Sequence, residues 1–339
     1  MPADQGKEKT AFQGEMLRCR LKKRFRHLKK WANRSGTGAF RLYDRDIPEI
    51  PLLLDIYGDA VSGALYKRPY EKDAAEEALW LEAMKAAASK ALEIPAARIF
   101  FKERSRQKGS AQYEKAQESR NFTLNINEGG LRFRVNLSDY LDAGLFPDRR
   151  LLRSLVRSEA AGKRVLNLFC YTASFSVCAA AGGAREVDSV DMSRTYLEWA
   201  AANFALNGFS ARMIQARDMC KGGGPAPFRL IRGDALNFMA EAHKARLAWD
   251  LIVLDPPAFS NSKSMNGVLD LRRDHLRLIT LALGLLKPGG KLWFSASARR
   301  FHLEAETFSG TAARDITEQL RDEDFKGKKI PVCCEFTLL

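Results

Sequence analysis

Apolar residues recur at helical spacing near the start of the chain: Leu17, Leu21, Phe25 and Leu28 follow one another every three or four positions in "MLRCRLKKRFRHLKKWANRSG". That period predicts a helix over 1–35 with one face docked on protein and the other turned outward. "RSGTG" then breaks it. From Phe40 to about Tyr140 the pattern shortens into apolar runs and turns. "PLLLDIYGDAVSGALY" predicts a hairpin about Gly58-Asp59, "AAEEALWLEAMKAAASKAL" a helix, and "FTLNINEGGLRFRVNL" a second hairpin turning at "NEGG". Beyond Leu151 strand and helix patterns alternate. "RVLNLFCY", "EVDSVDMS", "FRLIRGDA", "DLIVLDPP" and "KLWFSASA" predict strands. "TASFSVCAAAGG", "RTYLEWAAANFALNG" and "LRRDHLRLITLALGLLKPGG" predict helices, the last ended by Pro288 and Gly289. Such alternation predicts an α/β, doubly wound, mostly parallel sheet. The tail "KKIPVCCEFTLL" predicts a last strand, and "CKGGGPAP" a surface insertion. The expected organisation is a basic N-terminal helix (1–35), a small α+β domain (36–140) and the large α/β domain (141–339).

Composition adds a partner to this picture. A formal charge of +14 with pI near 9.6 draws a polyanion, and nucleic acid is the leading candidate. The basic residues cluster: Arg24, Arg26 and Lys29 stand on the first helix. Lys102, Arg104, Arg106 and Lys108 surround the Gly-Ser turn of "KERSRQKGSAQYEK", where Tyr113 offers a stacking face, and Lys263 lies in the loop after "LDPPAF". Such side chains neutralise phosphates while an aromatic stacks on a base. No segment reaches the roughly 18 apolar residues of a membrane span, and the N-terminus lacks an apolar signal core. A cytoplasmic protein is expected, with no membrane partner. The six cysteines show no C-x-x-C, and no His stands at ligand spacing, so neither a disulfide framework nor a metal is expected.

In an open parallel sheet, ligands bind beyond the carboxyl ends of the strands, where strand order reverses. Four predicted strands end on polar or acidic residues: the Asn167 to Ala173 turn, Asp191, Asp234 and Asp255-Pro256-Pro257. A carboxylate after the second strand suits a ribose diol, and Asp234 suits an adenine amino group. A dinucleotide needs G-x-G-x-x-G after the first strand, whereas this chain has "NLFCYTASFS", without a glycine. A nucleoside lacking diphosphate, such as S-adenosyl-L-methionine (SAM), fits better. The two prolines stop the strand and stiffen the turn, which would hold Asp255 and Phe259 at the mouth of the site, carboxylate for a base edge and aromatic face for stacking.

"NLFCYTASFSVCAAAGGA", "VDMSRTYLEWAAANFALNG", "LDPPAFSNSKSM" and "RRDHLRLI" resemble class I SAM-dependent rRNA methyltransferases, in particular the C-terminal, guanine-N7 half of the bacterial bifunctional 23S rRNA methyltransferase. The resemblance takes in "FRLYDRDIPE", "KERSRQKGSAQYEK" and "NLSDYLDAGLFPDRR" and covers most of the chain from about Arg18. It implies a Rossmann-like fold and a SAM pocket built from Phe146, Asp148, Arg150, Asn167, Phe169, Tyr171, Thr172, Ala173, Asp191, Met192, Asp234, Ala235 and Asp255. Asp255, Pro256, Pro257 and Phe259 would face the target base. The implied partner is 23S rRNA or the assembling large ribosomal subunit. Ala173 departs from the glycine usual in the family. The other catalytic half and its THUMP module are not in this chain, which implies a stand-alone N7 enzyme with a separate guanine-N2 methyltransferase as a partner.

Chemistry narrows the methyl acceptor. Cytosine-C5 transfer requires a cysteine nucleophile, and the strand where related enzymes place one reads "WFSASARR", with Ser295, Ala296 and Ser297. Guanine N7 carries a lone pair and needs only alignment and support for the developing positive charge; positioning alone supplies as much as roughly 7 to 11 kcal/mol in well-aligned systems. N2 methylation remains an alternative, since the same carboxylate can accept from the amino group. A catalytically silent RNA-binding assembly factor is the reading of another class, and it should fail to bind SAM.

Overall fold

The computed structural model describes residues 2–66, 73–104, 121–219, 226–260, 268–297, 301, 303 and 308–339. Two compact units are present: Met1–Gly130 with Val135–Ala143 and Glu323–Lys328, and Leu131–Arg134 with Gly144–Asp322 and Lys329–Leu339.

The first unit opens with α1 (Pro2–Ser35), which lays Leu17, Leu21, Leu28 and Trp31 into a core shared with the strands that follow. Burying its three leucines contributes roughly 5 to 9 kcal/mol before entropy is counted. Strands β1 (Ala39–Asp44), β2 (Leu52–Tyr57) and β3 (Ala60–Tyr66) run antiparallel; α2 (Ala74–Leu92) then crosses over so that β4 (Ile99–Arg104) pairs parallel with β3. The β2–β3 turn falls at Gly58 (φ +62°) and Asp59, where the pattern predicted it. Asp73 caps α2 by accepting from Ala75 N and Glu76 N. Trp80 of α2, fully buried, donates its indole N–H to Gln13 Oε1 of α1 at 2.7 Å. The two helices thus share a polar tie inside an apolar contact. Strands β5 (Thr123–Glu128) and β6 (Leu131–Asn136) form a two-stranded ribbon turning at Gly129-Gly130.

The second unit is a three-layer α/β fold. Its elements are α3 (Arg150–Glu159), β7 (Arg164–Leu168), α4 (Ser174–Ala181), β8 (Glu186–Asp191), α5 (Arg194–Leu206), β9 (Arg212–Gln215), α6 (Ala216–Met219), β10 (Phe228–Arg232), α7 (Ala235–Lys244) and β11 (Trp249–Leu254). There follow the short pair β12 (Phe259–Ser260) and β13 (Leu269–Asp270), then α8 (Leu271–Leu283), β14 (Leu286–Ala296), β15 (Thr311–Asp315) and β16 (Val332–Leu338). The eight-stranded sheet runs β15-β16-β14-β11-β7-β8-β10-β9. Pairing is parallel from β14 through β9 and antiparallel where β16 joins β14 and β15. Order reverses at β7, which has β8 on one side and β11 on the other, so the binding crevice of such a sheet opens beyond these three strands.

Several expected elements are adjusted. "LRRDHLRLITLALGLLKPGG" is not one helix: α8 stops at Leu283 with Gly284 as its cap. Leu286 to Gly290 already belong to β14, whose register against β11 shifts between Trp249 and Leu251 to absorb Pro288 and Gly289. Strand β9 was not foreseen, because among its four residues only Ile214 is buried and its pattern carries no period. "CKGGGPAP" lies largely outside the described residues.

Candidate active site

Strand β7 ends at Leu168, and the chain must turn sharply into α4. It does so through three left-handed residues, Phe169 (φ +56°), Tyr171 (+51°) and Ala173 (+59°). None is glycine, and each such residue costs about 1 to 2 kcal/mol, so the surroundings must hold the turn. Cys170 N donates to Val190 O (2.9 Å), Ala173 N to Cys170 O (2.7 Å), Thr172 Oγ1 to Gly144 O (2.6 Å) and Asn203 Nδ2 to Thr172 O (2.9 Å). Gly144 (φ +98°) is needed for this approach: a Cβ there would stand 2.2 Å from the Trp199 ring. The backbone of the turn is therefore over-determined by four separate bonds.

Asp191, half-buried at the end of β8, accepts from Tyr171 N at Oδ2 (3.0 Å) and from Ser193 N at Oδ1 (2.9 Å). Burial pushes its pKa up to about 6, although the backbone N–H groups of Ser193, Tyr171 and Met192 pull the other way. Aromatic rings gather beside it. Tyr171 lies 5.5 Å from Phe146, 4.6 Å edge-on from Tyr196 and 6.2 Å from Trp199 between ring centres. Asp234, at the end of β10, caps α7 by accepting from Asn237 N at 2.8 Å, and Ala235 behind it is buried. One Asp234 oxygen is thus already committed to the helix. Asn167 is fully inside β7, where Nδ2 donates to Ser176 Oγ (2.9 Å) and Oδ1 is buried without a hydrogen-bond partner. Its place is beneath the turn, as part of the Asn167–Ser176–Ser189 network.

Beyond β11, Asp255 is met by a residue that sequence reasoning passed over. Arg149 donates from Nε to Asp255 Oδ2 (3.1 Å) and from Nη2 to Asp255 Oδ1 (2.9 Å), and Nη2 also reaches Ser297 Oγ (2.7 Å). Its Nη1 stands 3.1 Å from Asp148 Oδ2. The guanidinium is buried, and its carboxylate partners hold it protonated against that burial. Arg150, the expected site residue, is also buried, at the start of α3, with its Nε 3.5 Å from Asp322 Oδ2. The "PDRR" run gave no signal for choosing between two adjacent arginines, since only their phase relative to α3 separates them. Pro256 is buried, Pro257 half-buried, and Phe259 is 51% exposed. Cys333 of β16 pairs in register with Ser295, so a thiol does lie near Asp255. Burial raises that thiol well above its ordinary pKa, which keeps it a buried, non-nucleophilic group.

The basic residues divide. Arg26 and Lys29 are exposed on α1, Lys29 lying 5.3 Å from the Phe25 ring. Arg24 is not part of that outward face: partly buried, it donates to Leu42 O at 2.7 Å and ties α1 to β1. Lys102 is a residue of β4 rather than of a loop, and it donates to Tyr140 O. Arg104 ends the same strand. Arg106, Lys108 and Lys263 lie outside the described residues, as does Tyr113. Among the described residues no cluster suits a metal ion, and no helix is long and apolar enough to cross a membrane.

An acceptor, aromatic faces and a rigid turn at the crevice are groups that suit a nucleoside. A carboxylate fixed by backbone N–H groups stands at the end of β8, rings line one side, and an unpartnered amide oxygen lies below the turn. Comparison with known proteins agrees. The chain is 46% identical over 314 residues to the ribosomal RNA large subunit methyltransferase K/L of Stutzerimonas stutzeri, covering 92% of this chain and 41% of that protein. It is 45% identical to the protein of the same name from Pseudomonas paraeruginosa, covering 92% and 40%. The chain thus spans about two fifths of the length of these relatives. Among solved structures, SMU.776, described as a methyltransferase complexed with SAH, superposes with a TM-score of 0.74 at 23% identity, covering 96% of this chain and 81% of that one. At that identity the likeness is one of fold. A model of the S-adenosylmethionine-dependent methyltransferases matches residues 45–303, and the chain belongs to that family.

Proposed function

We propose that this chain transfers the methyl group of S-adenosylmethionine to a guanine of 23S rRNA, at N7. The observation that carries the reading is Asp255: a carboxylate held by both oxygens beyond β11, followed by two stiff prolines and an exposed Phe259. Each carboxylate oxygen has about two acceptor sites. One on each is used by Arg149, and the remaining pair matches the N1–H and amino N–H of one guanine edge. Held by that edge, guanine presents N7 without any proton having to leave, and its developing positive charge meets a site with two carboxylates, Asp148 and Asp255, around one guanidinium. The names of the two relatives support ribosomal RNA of the large subunit as the substrate class.

The outward side of α1 supports an RNA substrate independently. Arg18, Lys22, Arg26 and Lys30 form a row four residues apart, and Lys23 and His27 stand on the neighbouring row. The row advances about 6 Å per step, a ladder of cations suited to successive phosphates. Incubation with labelled SAM and unmodified 23S rRNA, followed by digestion to nucleosides, tests the proposal. N7-methylguanosine is the expected product; N2-methylguanosine would move the acceptor to the amino group, and unlabelled RNA would leave the silent factor.

A further inference from the structure

We infer that Arg149 is the positioning residue of the methyl-transfer site: it acts through Asp255, fixing the plane and reach of that carboxylate, and does not itself touch the guanine. The inference rests on the reading of Asp255 as the group that holds the acceptor base. Four contacts carry it. Nε and Nη2 take the two oxygens of Asp255 in a fork at 3.1 and 2.9 Å, Nη2 also takes Ser297 Oγ at 2.7 Å, and Nη1 faces Asp148 Oδ2 at 3.1 Å. The guanidinium plane is rigid and its five donors have fixed directions, so a carboxylate bound in this fork cannot swing about its terminal torsion. A single contact from lysine would leave that rotation open.

One side chain thereby joins three separate stretches: the turn before α3, the loop after β11 and the loop after β14, 106 and 148 residues away in sequence. The Arg149 side chain is 9% exposed, and its guanidinium donors are directed at protein acceptors. A residue so committed has little left for a substrate. Charge points the same way. Arg149 offsets one of two neighbouring carboxylates, leaving about one negative charge facing the methyl donor and the acceptor ring, enough to favour the developing cation without drawing in a counter-ion for an isolated pair of acids.

A double-mutant cycle on the full chain tests this, with single-turnover transfer from labelled SAM to 23S rRNA as the readout and SAM and RNA affinities measured alongside. Arg149→Met should slow transfer about thirtyfold and Asp255→Ala about a hundredfold, with both affinities held within about threefold. Because the arginine acts through the aspartate, the double variant should be no slower than Asp255→Ala alone, about a hundredfold rather than the roughly three-thousandfold product. Arg149→Lys should recover part of the loss. Should Arg149→Met fail to fold, Arg149→Lys in the same cycle reads the same coupling. Multiplied effects would overturn the inference, since Arg149 would then contact substrate on its own account. So would an Arg149 variant that unfolds earlier on heating yet transfers at the parent rate, for its role would then be structural. A parent protein that labels no rRNA is seen before any variant is made, and it overturns the proposed function itself.

Discussion

Ala173 holds a left-handed backbone (φ +59°) with its methyl group fully buried. Two effects therefore oppose each other when it becomes glycine. Relief of the left-handed conformation is worth about 1 to 2 kcal/mol, while loss of one buried methyl costs about 0.8 kcal/mol. The first is larger, so Ala173→Gly should raise unfolding free energy by up to about 1 kcal/mol, read by denaturant titration, with SAM affinity unchanged or better. A loss of stability would show that the methyl packs more than the turn strains. Asp191 gives a pH test. With its pKa near 6 in the free protein and ribose hydroxyls as donors, SAM binding favours the ionised form. Affinity should therefore be flat above about pH 6 and fall by up to about tenfold per unit below it, and Asp191→Asn should be weaker at neutral pH and lose this slope. Without ligand the sign is opposite. Folding favours the protonated carboxyl, so this group's contribution to stability is complete below its ordinary 3.8 and is lost as pH rises through about 6. A slope that persists in Asp191→Asn would place the ribose elsewhere. These residues were legible in the sequence because strand ends could be read from apolar runs. Arg149 was not, since both neighbouring arginines are buried and no periodicity tells which of them reaches Asp255.

At the scale of elements, period was the informative signal, and it failed where burial was thin or where strand and helix patterns abut. The α1 series, the β2–β3 turn and α2 stand where the apolar spacing placed them. The α8 boundary did not, because "LGLL" satisfies a buried strand as well as a helix until β11 supplies a partner for it. Arg24 is placed differently from the exposed cations of α1. Its charge suggested an outward face, while its position between Leu21 and Leu28 leaves it partly buried with its Nε donating to Leu42 O. The structure also decides how to probe RNA contact. Deleting α1 would strip Leu17, Leu21, Leu28 and Trp31 from the first unit's core, so truncation would test folding rather than binding. Replacing Lys22, Arg26 and Lys30 with Gln keeps the apolar face. That variant should bind rRNA more weakly and reduce the slope of log affinity against log salt by roughly 2 to 2.7, at 0.7 to 0.9 per lost phosphate contact. Filter binding at several salt concentrations reads it. An unchanged slope would make the row a solvated surface.

For the whole molecule, an excess of 55 basic over 41 acidic residues gives a field that attracts polyanions without selecting among them. On the proposed reading, selection comes from the crevice beyond β7, β8 and β11, where Asp191 would take a ribose, the Arg149-clamped Asp255 would take a base edge, and the Phe259 ring is exposed. A protein that only bound RNA would have no use for the first of these, and its failure to bind SAM in a calorimetric titration would identify it. Transfer to guanine N7 is tested most directly by chemical mapping of the product. Labelled SAM is incubated with the protein and unmodified 23S rRNA, uptake of label is counted, and the RNA is then reduced with borohydride and cleaved with aniline, which releases the methylated base, and the strand breaks are mapped by primer extension. N7-methylguanine is labile to this treatment, so labelled RNA should break at a discrete guanine, and the break should form about a hundredfold more slowly when the protein carries Asp255→Ala. Labelled RNA that resists cleavage would contradict N7 as the acceptor, and RNA that takes up no label would contradict methyl transfer altogether.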